Sequence, residues 1–200
     1  MFSDATWLLL DHFGIILGDI LMIITVCGAV WGFVMRNTLR NWLLRNRFPV
    51  TTETSKEEHW DGIVFTVSRA DTPRWVIETR LPSRVGLIAT EESHAAANEL
   101  TDLLKKHNLH LAGIHLIENA DDPDQTRSAT AALLALMQSE GARQFAVDVT
   151  GGKTTMSLGA FMAAEEAGAE TLYVACQFDQ TLKRPNMKTA RLLSVSKPIK

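Results

Sequence analysis

Hydropathy divides the chain into two stretches. From Phe13 to Met35 it reads FGIILGDILMIITVCGAVWGFVM, an apolar run whose one ionisable group is Asp19. As a helix rising about 1.5 Å per residue this run covers roughly 35 Å, enough to cross a bilayer core of about 30 Å. From Trp60 onward, short β-rich runs alternate with helical stretches, the pattern of a parallel sheet with helices on both faces. The pattern predicts strands over 62–68, 84–90, 113–119, 144–149 and 171–178, and an edge strand over 192–196. Helices are expected from Asp71 or Thr72 to about Leu81, and over 92–108, 124–140 and 154–167. The expected fold class is therefore α/β, a mostly parallel sheet flanked by helices and preceded by a single N-terminal transmembrane helix. The expected organisation is a transmembrane helix over 1–35, a basic juxtamembrane linker over 36–59 and a cytosolic domain over 60–200.

Charge sets the orientation of the apolar segment. Arg36, Arg40, Arg45 and Arg47 follow it, whereas Asp4 and Asp11 precede it, so the positive-inside rule keeps the C-terminal domain in the cytosol. The run lacks a basic region before it and exceeds an ordinary signal-peptide core, which favours retention as an anchor. RNTLRNWLLRNRF (36–48) reads either as an amphipathic helix lying on anionic lipid or as a solvated stop-transfer flank. A carboxylate such as Asp19 costs about 2.5–3.5 kcal/mol in hydrocarbon and usually faces a partner or water. Gly14 with Gly18, and Gly28 with Gly32, repeat a spacing that allows close helix approach. Together these imply self-association, with Asp11 and Asp19 as polar groups along a path between helices.

Composition narrows the partners. A formal charge of −3 does not suit a coat for long nucleic acid. Cys27 and Cys176 suggest no bridge, and the six histidines form no ligand motif, so neither a disulfide nor a metal is expected.

In an open α/β sheet, ligands bind beyond the carboxyl ends of the strands. The loops there are 68–73, 90–93, 119–122, 150–155 and the stretch from Phe178, and the fourth carries distinctive chemistry. Asp148-Val-Thr-Gly-Gly-Lys-Thr-Thr-Met-Ser157 joins a strand to a helix through two glycines, a cation and several hydroxyls. Gly151 and Gly152 let backbone amides approach a ligand, the helix N-terminus favours negative charge, and Lys153 adds an ammonium. Thr150, Thr154 and Thr155 can cap the helix or donate to phosphate or ribose oxygen. A P-loop is excluded: it needs a glycine five residues before the glycine of its GK pair, and Val147 stands there. A G-x-G-x-x-G dinucleotide fingerprint is also missing.

The motif D-x-T-G-G-K-x-x-M-S (148–157), with a first strand ending in SRADTP and a second ending in ATEES, resembles the CRISPR-associated Rossmann-fold (CARF) domain over about residues 60–198. Joined to one membrane helix, the chain looks like the transmembrane CARF effectors of type III CRISPR antiviral defence, which depolarise the inner membrane of a prokaryote. The resemblance implies a Rossmann-like fold, pairing of two domains about a two-fold axis and binding of cyclic oligoadenylate, specifically cyclic tetra-adenylate, across that axis. It implies that Thr150, Gly151, Gly152, Lys153 and Thr154 contact phosphate and ribose, and that Ser68, Arg69, Thr72, Thr90 and Glu91 line the same cleft. Asn119 would contact base or ribose. The family form implied is a pair of dimers whose membrane helices (Asp11, Gly14, Gly18, Asp19, Gly28 and Gly32) form the bundle that opens. No catalytic residue or cofactor is expected. Two rivals stay open: a ring nuclease that cleaves its own ligand, and a membrane-tethered adaptor without pore activity.

Overall fold

The computed structural model describes residues 4–34, 52–55, 57–181 and 183–197. The chain separates into two compact units, Met1–Asn46 and Arg47–Lys200. Arg36, Arg40, Arg45 and Arg47, and both readings of 36–48, lie outside the described residues.

Helix α1 (Asp4–Val34) is 31 residues long, about 46 Å at the standard rise. Its described large apolar side chains are exposed, from Ile20 at 49% to Leu21 at 67%. Thr25 Oγ1 donates to the Leu21 carbonyl at 2.8 Å, so this hydroxyl is satisfied within the helix. Among the described residues no helix is long and apolar enough to cross a membrane. Within α1 the described side chains run unbroken only from His12 to Gly28.

The second unit is one seven-stranded sheet. In chain order its elements are β1 (Thr52–Glu53), β2 (Gly62–Thr66), α2 (Asp71–Arg80), β3 (Arg84–Ala89), a 3-10 turn (Glu91–Ser93), α3 (His94–Lys106), β4 (His110–Leu116), α4 (Pro123–Ser139), β5 (Phe145–Asp148), α5 (Thr154–Ala167), β6 (Glu170–Asp179) and β7 (Arg184–Ser196). The strand order is β1-β7-β6-β5-β2-β3-β4. From β6 to β4 neighbours run parallel, while β7 pairs antiparallel with β6 and β1 with β7.

Strands β2, β3 and β5 read as nearly unbroken apolar runs because both of their faces are covered. Alternate residues face opposite layers: Ile63, Phe65 and Leu87 pack with Val76, Ile77, Leu100 and Leu104 of α2 and α3. Val64, Ile88 and Val147 pack with Leu133, Met137, Met156 and Ala160 of α4 and α5. Helix ends follow local chemistry: Asp122 caps α4 ahead of Pro123, and Gly168, at φ 66°, closes α5.

Three details depart from the sequence expectation. Strand β4 begins at His110 and ends at Leu116, three residues earlier at each end than the expected 113–119. Strand β7 runs over 13 residues, so most of the expected polar loop after Phe178 is hairpin strand. Its edge is partly covered by β1, which arises from the segment read as linker. Residues 52–55 of it are held from α2: Arg80 donates to the Ser55 carbonyl and to Thr54 Oγ1, both at 2.6 Å, and lies over the Trp60 ring. Trp60 Nε1 in turn donates to Glu170 at 3.0 Å.

Candidate functional site

Chain direction reverses between β2 and β5. From β2 the chain moves outward through β3 to β4, and from β5 it moves the other way to β6. The loops after these two neighbours therefore splay apart at the switch point and leave a crevice.

Gly151 sets how close the β5–α5 loop comes to β2. A Cβ there would lie 2.0 Å from the Thr66 carbonyl oxygen, so only glycine lets the β5–α5 loop rest on the end of β2. Thr66 Oγ1 fixes the contact by donating to the Gly151 carbonyl at 2.7 Å. Gly152 follows at φ 81°, a left-handed conformation that turns the chain into α5. Lys153 is the N-cap, in extended conformation and without a side-chain capping bond. The first amides of α5 thus lack intrahelical acceptors and face outward with the positive end of the helix dipole.

Buried Asp148 braces the loop from within. Its Oδ1 accepts from the Thr150 amide at 2.8 Å and from the Thr150 hydroxyl, while Thr150 Oγ1 accepts from the Val174 amide at 2.7 Å. Oδ2 is buried with no hydrogen-bond partner in the protein. Burial pushes this carboxyl up to about 6, against the lowering effect of the two Thr150 donors. Ser157 Oγ bonds to the Val149 carbonyl at 2.7 Å, and Thr155 Oγ1 to the Ala120 carbonyl at 2.5 Å. The loop is thereby tied to β6, to the residue that follows β5 and to the turn between β4 and α4.

A cleft of about 340 Å³ opens beside it, lined by Ser68, Thr90, Glu92, Ser93, Gly152 and Lys153, with Val67, Ala120 and Met156 beneath. Larger cavities exist elsewhere. One of about 550 Å³ lies against the end of β4 and the start of α4, one of about 440 Å³ beside the β6–β7 hairpin, and one of about 530 Å³ around Trp60 and Lys197. The smaller cleft is the better anion site, because it alone of these joins the switch point, a helix N-terminus and the Lys153 ammonium.

Of the residues singled out from sequence, Ser68, Thr90, Gly152 and Lys153 come together in this cleft, while Gly151 packs against Thr66 behind it. Thr154 is exposed at the first position of α5. Thr150 turns inward as a brace. Arg69 instead bonds to the Lys183 carbonyl at 3.3 Å and pairs with Asp71, while Thr72 lies in the first turn of α2. Glu91 is exposed and its neighbour Glu92 lines the cleft. Asn119 uses its side chain to accept the Asp121 amide at 3.0 Å. On α1, a Cβ at Gly14, Gly18 or Gly28 would meet nothing within 4 Å, and Asp19 is exposed. The side chain of Asp11 and the surroundings of Gly32 lie outside the described residues. Sequence reasoning missed Ser93, which bonds Thr90 reciprocally to shape the second loop, and Asp121, which pairs with Lys153. The T-x-x-S capping spacing (90–93) could have revealed the first; nothing local points to the second.

No family model matches the chain, and no curated protein does. Solved structures do. The fold is similar to that of a type III CRISPR defence DNA nuclease activated by cyclic oligoadenylate, with a TM-score of 0.51 at 17% identity over 62% of this chain and 21% of that one. Can2 from Sulfobacillus thermosulfidooxidans, in complex with cyclic tetra-adenylate, aligns at 0.49 and 19% identity over 57% of this chain and 32% of that one. Enterococcus italicus Csm6, bound to a cyclic hexa-2'-fluoro-hexa-dAMP, aligns at 0.48 and 14% over 59% and 34%. The chain thus spans between 21% and 34% of the length of these proteins. At these identities the likeness extends to the fold alone.

Proposed function

We propose that the α/β unit is a CARF-type sensor of cyclic oligoadenylate in type III CRISPR defence, carried on a membrane-anchoring helix. One observation carries this: a loop seated on β2 through Gly151 presents, at the switch point, helix-start amides and the Lys153 ammonium to a cleft lined with hydroxyls. That is a site for a phosphate-bearing ribonucleotide, and a nuclease of similar fold is activated by such a ring.

Size argues for a shared site. A cleft of about 340 Å³ sits at the small end of small-molecule pockets and cannot enclose a ring of four nucleotides. A second copy facing it across a two-fold axis would supply the other half, which favours a homodimer and an even-numbered ring such as cyclic tetra-adenylate. In this reading the apolar run 13–35, rather than the described part of α1 alone, supplies a single-pass anchor in the inner membrane, and the arginines that follow it keep the sensor in the cytosol. Ring binding then biases the pairing of sensors, and a tetrameric bundle of α1 helices opens and depolarises the membrane. Only a ring that binds one arrangement better than the other can drive this change.

Equilibrium binding of labelled cyclic tetra-adenylate to the full chain tests the site. Lys153→Ala should weaken binding by about ten- to a hundredfold, the range for a hydrogen bond to a charged group. Its thermal unfolding should not change, because the side chain is 58% exposed. Retained affinity would remove Lys153 from the site. Linear products in the same mixture would add ring cleavage to sensing.

A further inference from the structure

We propose that Asp121 is an internal competitor for the ligand's phosphate and that, with Glu92, it makes the cleft select phosphodiesters over phosphomonoesters and triphosphates. The proposal rests on the cyclic oligoadenylate reading of this cleft. Lys153 Nζ donates to both Asp121 carboxylate oxygens, at 3.1 Å to Oδ1 and 2.9 Å to Oδ2. Asp121 is held in place for this role. Its amide donates to Asn119 Oδ1 at 3.0 Å, and Gln125 Oε1 accepts the Glu118 and Asn119 amides at 3.1 and 3.0 Å. The bond from Thr155 Oγ1 to the Ala120 carbonyl ties the same turn to the start of α5.

Lys153 is the cation among the residues lining the cleft, Glu92 lines it as well, and Glu91 adjoins it. A phosphodiester carries one negative charge, so replacing Asp121 with it on the ammonium is an even exchange. A terminal phosphate carries about 1.5 to 2 charges and a triphosphate more, and the surplus faces Glu92 and the displaced Asp121. A ring contains only diesters. A linear product with a terminal phosphate, or ATP, is therefore disfavoured by repulsion rather than by shape.

The test measures binding of cyclic tetra-adenylate, 5'-phosphorylated linear tetra-adenylate and ATP to the full-length wild-type chain, Asp121→Asn and Glu92→Gln, at low and physiological salt. Asp121→Asn should tighten ring binding by about two- to fivefold, the span of an exposed ion pair. It should tighten the phosphomonoester more, so the preference for the ring narrows. The gain should shrink as salt rises, because the two side chains are 58% and 66% exposed. Glu92→Gln should narrow the preference as well. Weaker ring binding by Asp121→Asn would show a direct ligand contact and overturn the proposal, as would an unchanged preference in both variants at low salt. A wild-type chain that binds no ring at all overturns the ligand reading itself, a result distinct from binding that both variants leave unaltered.

Discussion

At the scale of single residues, the loop from Asp148 to Thr155 separates bracing from binding. Thr150 looks from sequence like part of an anion cradle, yet it turns inward onto Asp148 and holds β5 to β6. Sequence could not assign it, because a hydroxyl that caps, braces or binds is the same letter. Gly151 was legible in its type and not in its reason, which is the carbonyl of Thr66 on another strand. Gly151→Ala should therefore cost about 1–3 kcal/mol of stability, measured by chemical denaturation, and lift the loop off β2. An unaffected variant would mean that the loop does not rest there. Asp148 gives a pH prediction. Its folded-state pKa of about 6 lies above the ordinary 3.8, so the folded protein holds this proton more tightly than the unfolded chain does. Its favourable contribution is full below pH about 4 and is lost as pH rises through about 6, a swing of up to about 3 kcal/mol. Asp148→Asn keeps the Oδ1 acceptor and removes the charge. Thermal unfolding between pH 4 and 8 should show the variant gaining on the wild type as pH rises; parallel profiles would contradict this.

At the scale of elements, the strands with both faces covered were the readable ones. GIVFT and RVGLIA are apolar throughout because helices lie on both sides of the sheet. Strand β7 was mostly hidden: RPNMKTA carries no alternation, and it is strand because it pairs with β6 across a hairpin. Strand β1 is two residues long and depends on its contacts with β7 and Arg80, which no local pattern encodes. In α1, at about 100° per residue, Gly14, Gly18, Gly28 and Gly32 fall within about 40° of one line and Asp19 about 140° away. In the proposed membrane bundle, needs on two faces of one helix suit several helices better than a pair. Asp19→Leu removes a cost to insertion, so the chain should still fractionate with membranes while ring-dependent depolarisation, followed with a potential-sensitive dye, falls to background. Depolarisation that survives unaltered would exclude the carboxylate from the path.

At the scale of the whole molecule, sequence located the α/β unit, its helix-flanked parallel sheet and the loop at its switch point. It did not show how small the crevice is, about 340 Å³, because that follows from the three-dimensional spacing of loops 68–73, 90–93 and 150–155. In the proposed sensor each copy offers half a site, and the ring joins two copies. Calorimetric titration of the full chain with cyclic tri-, tetra- and hexa-adenylate tests it most directly. Tightest binding is expected for the tetra-adenylate ring at one ring per two chains, weakened about ten- to a hundredfold in Lys153→Ala. One ring bound per chain, or no heat with any ring, would contradict it.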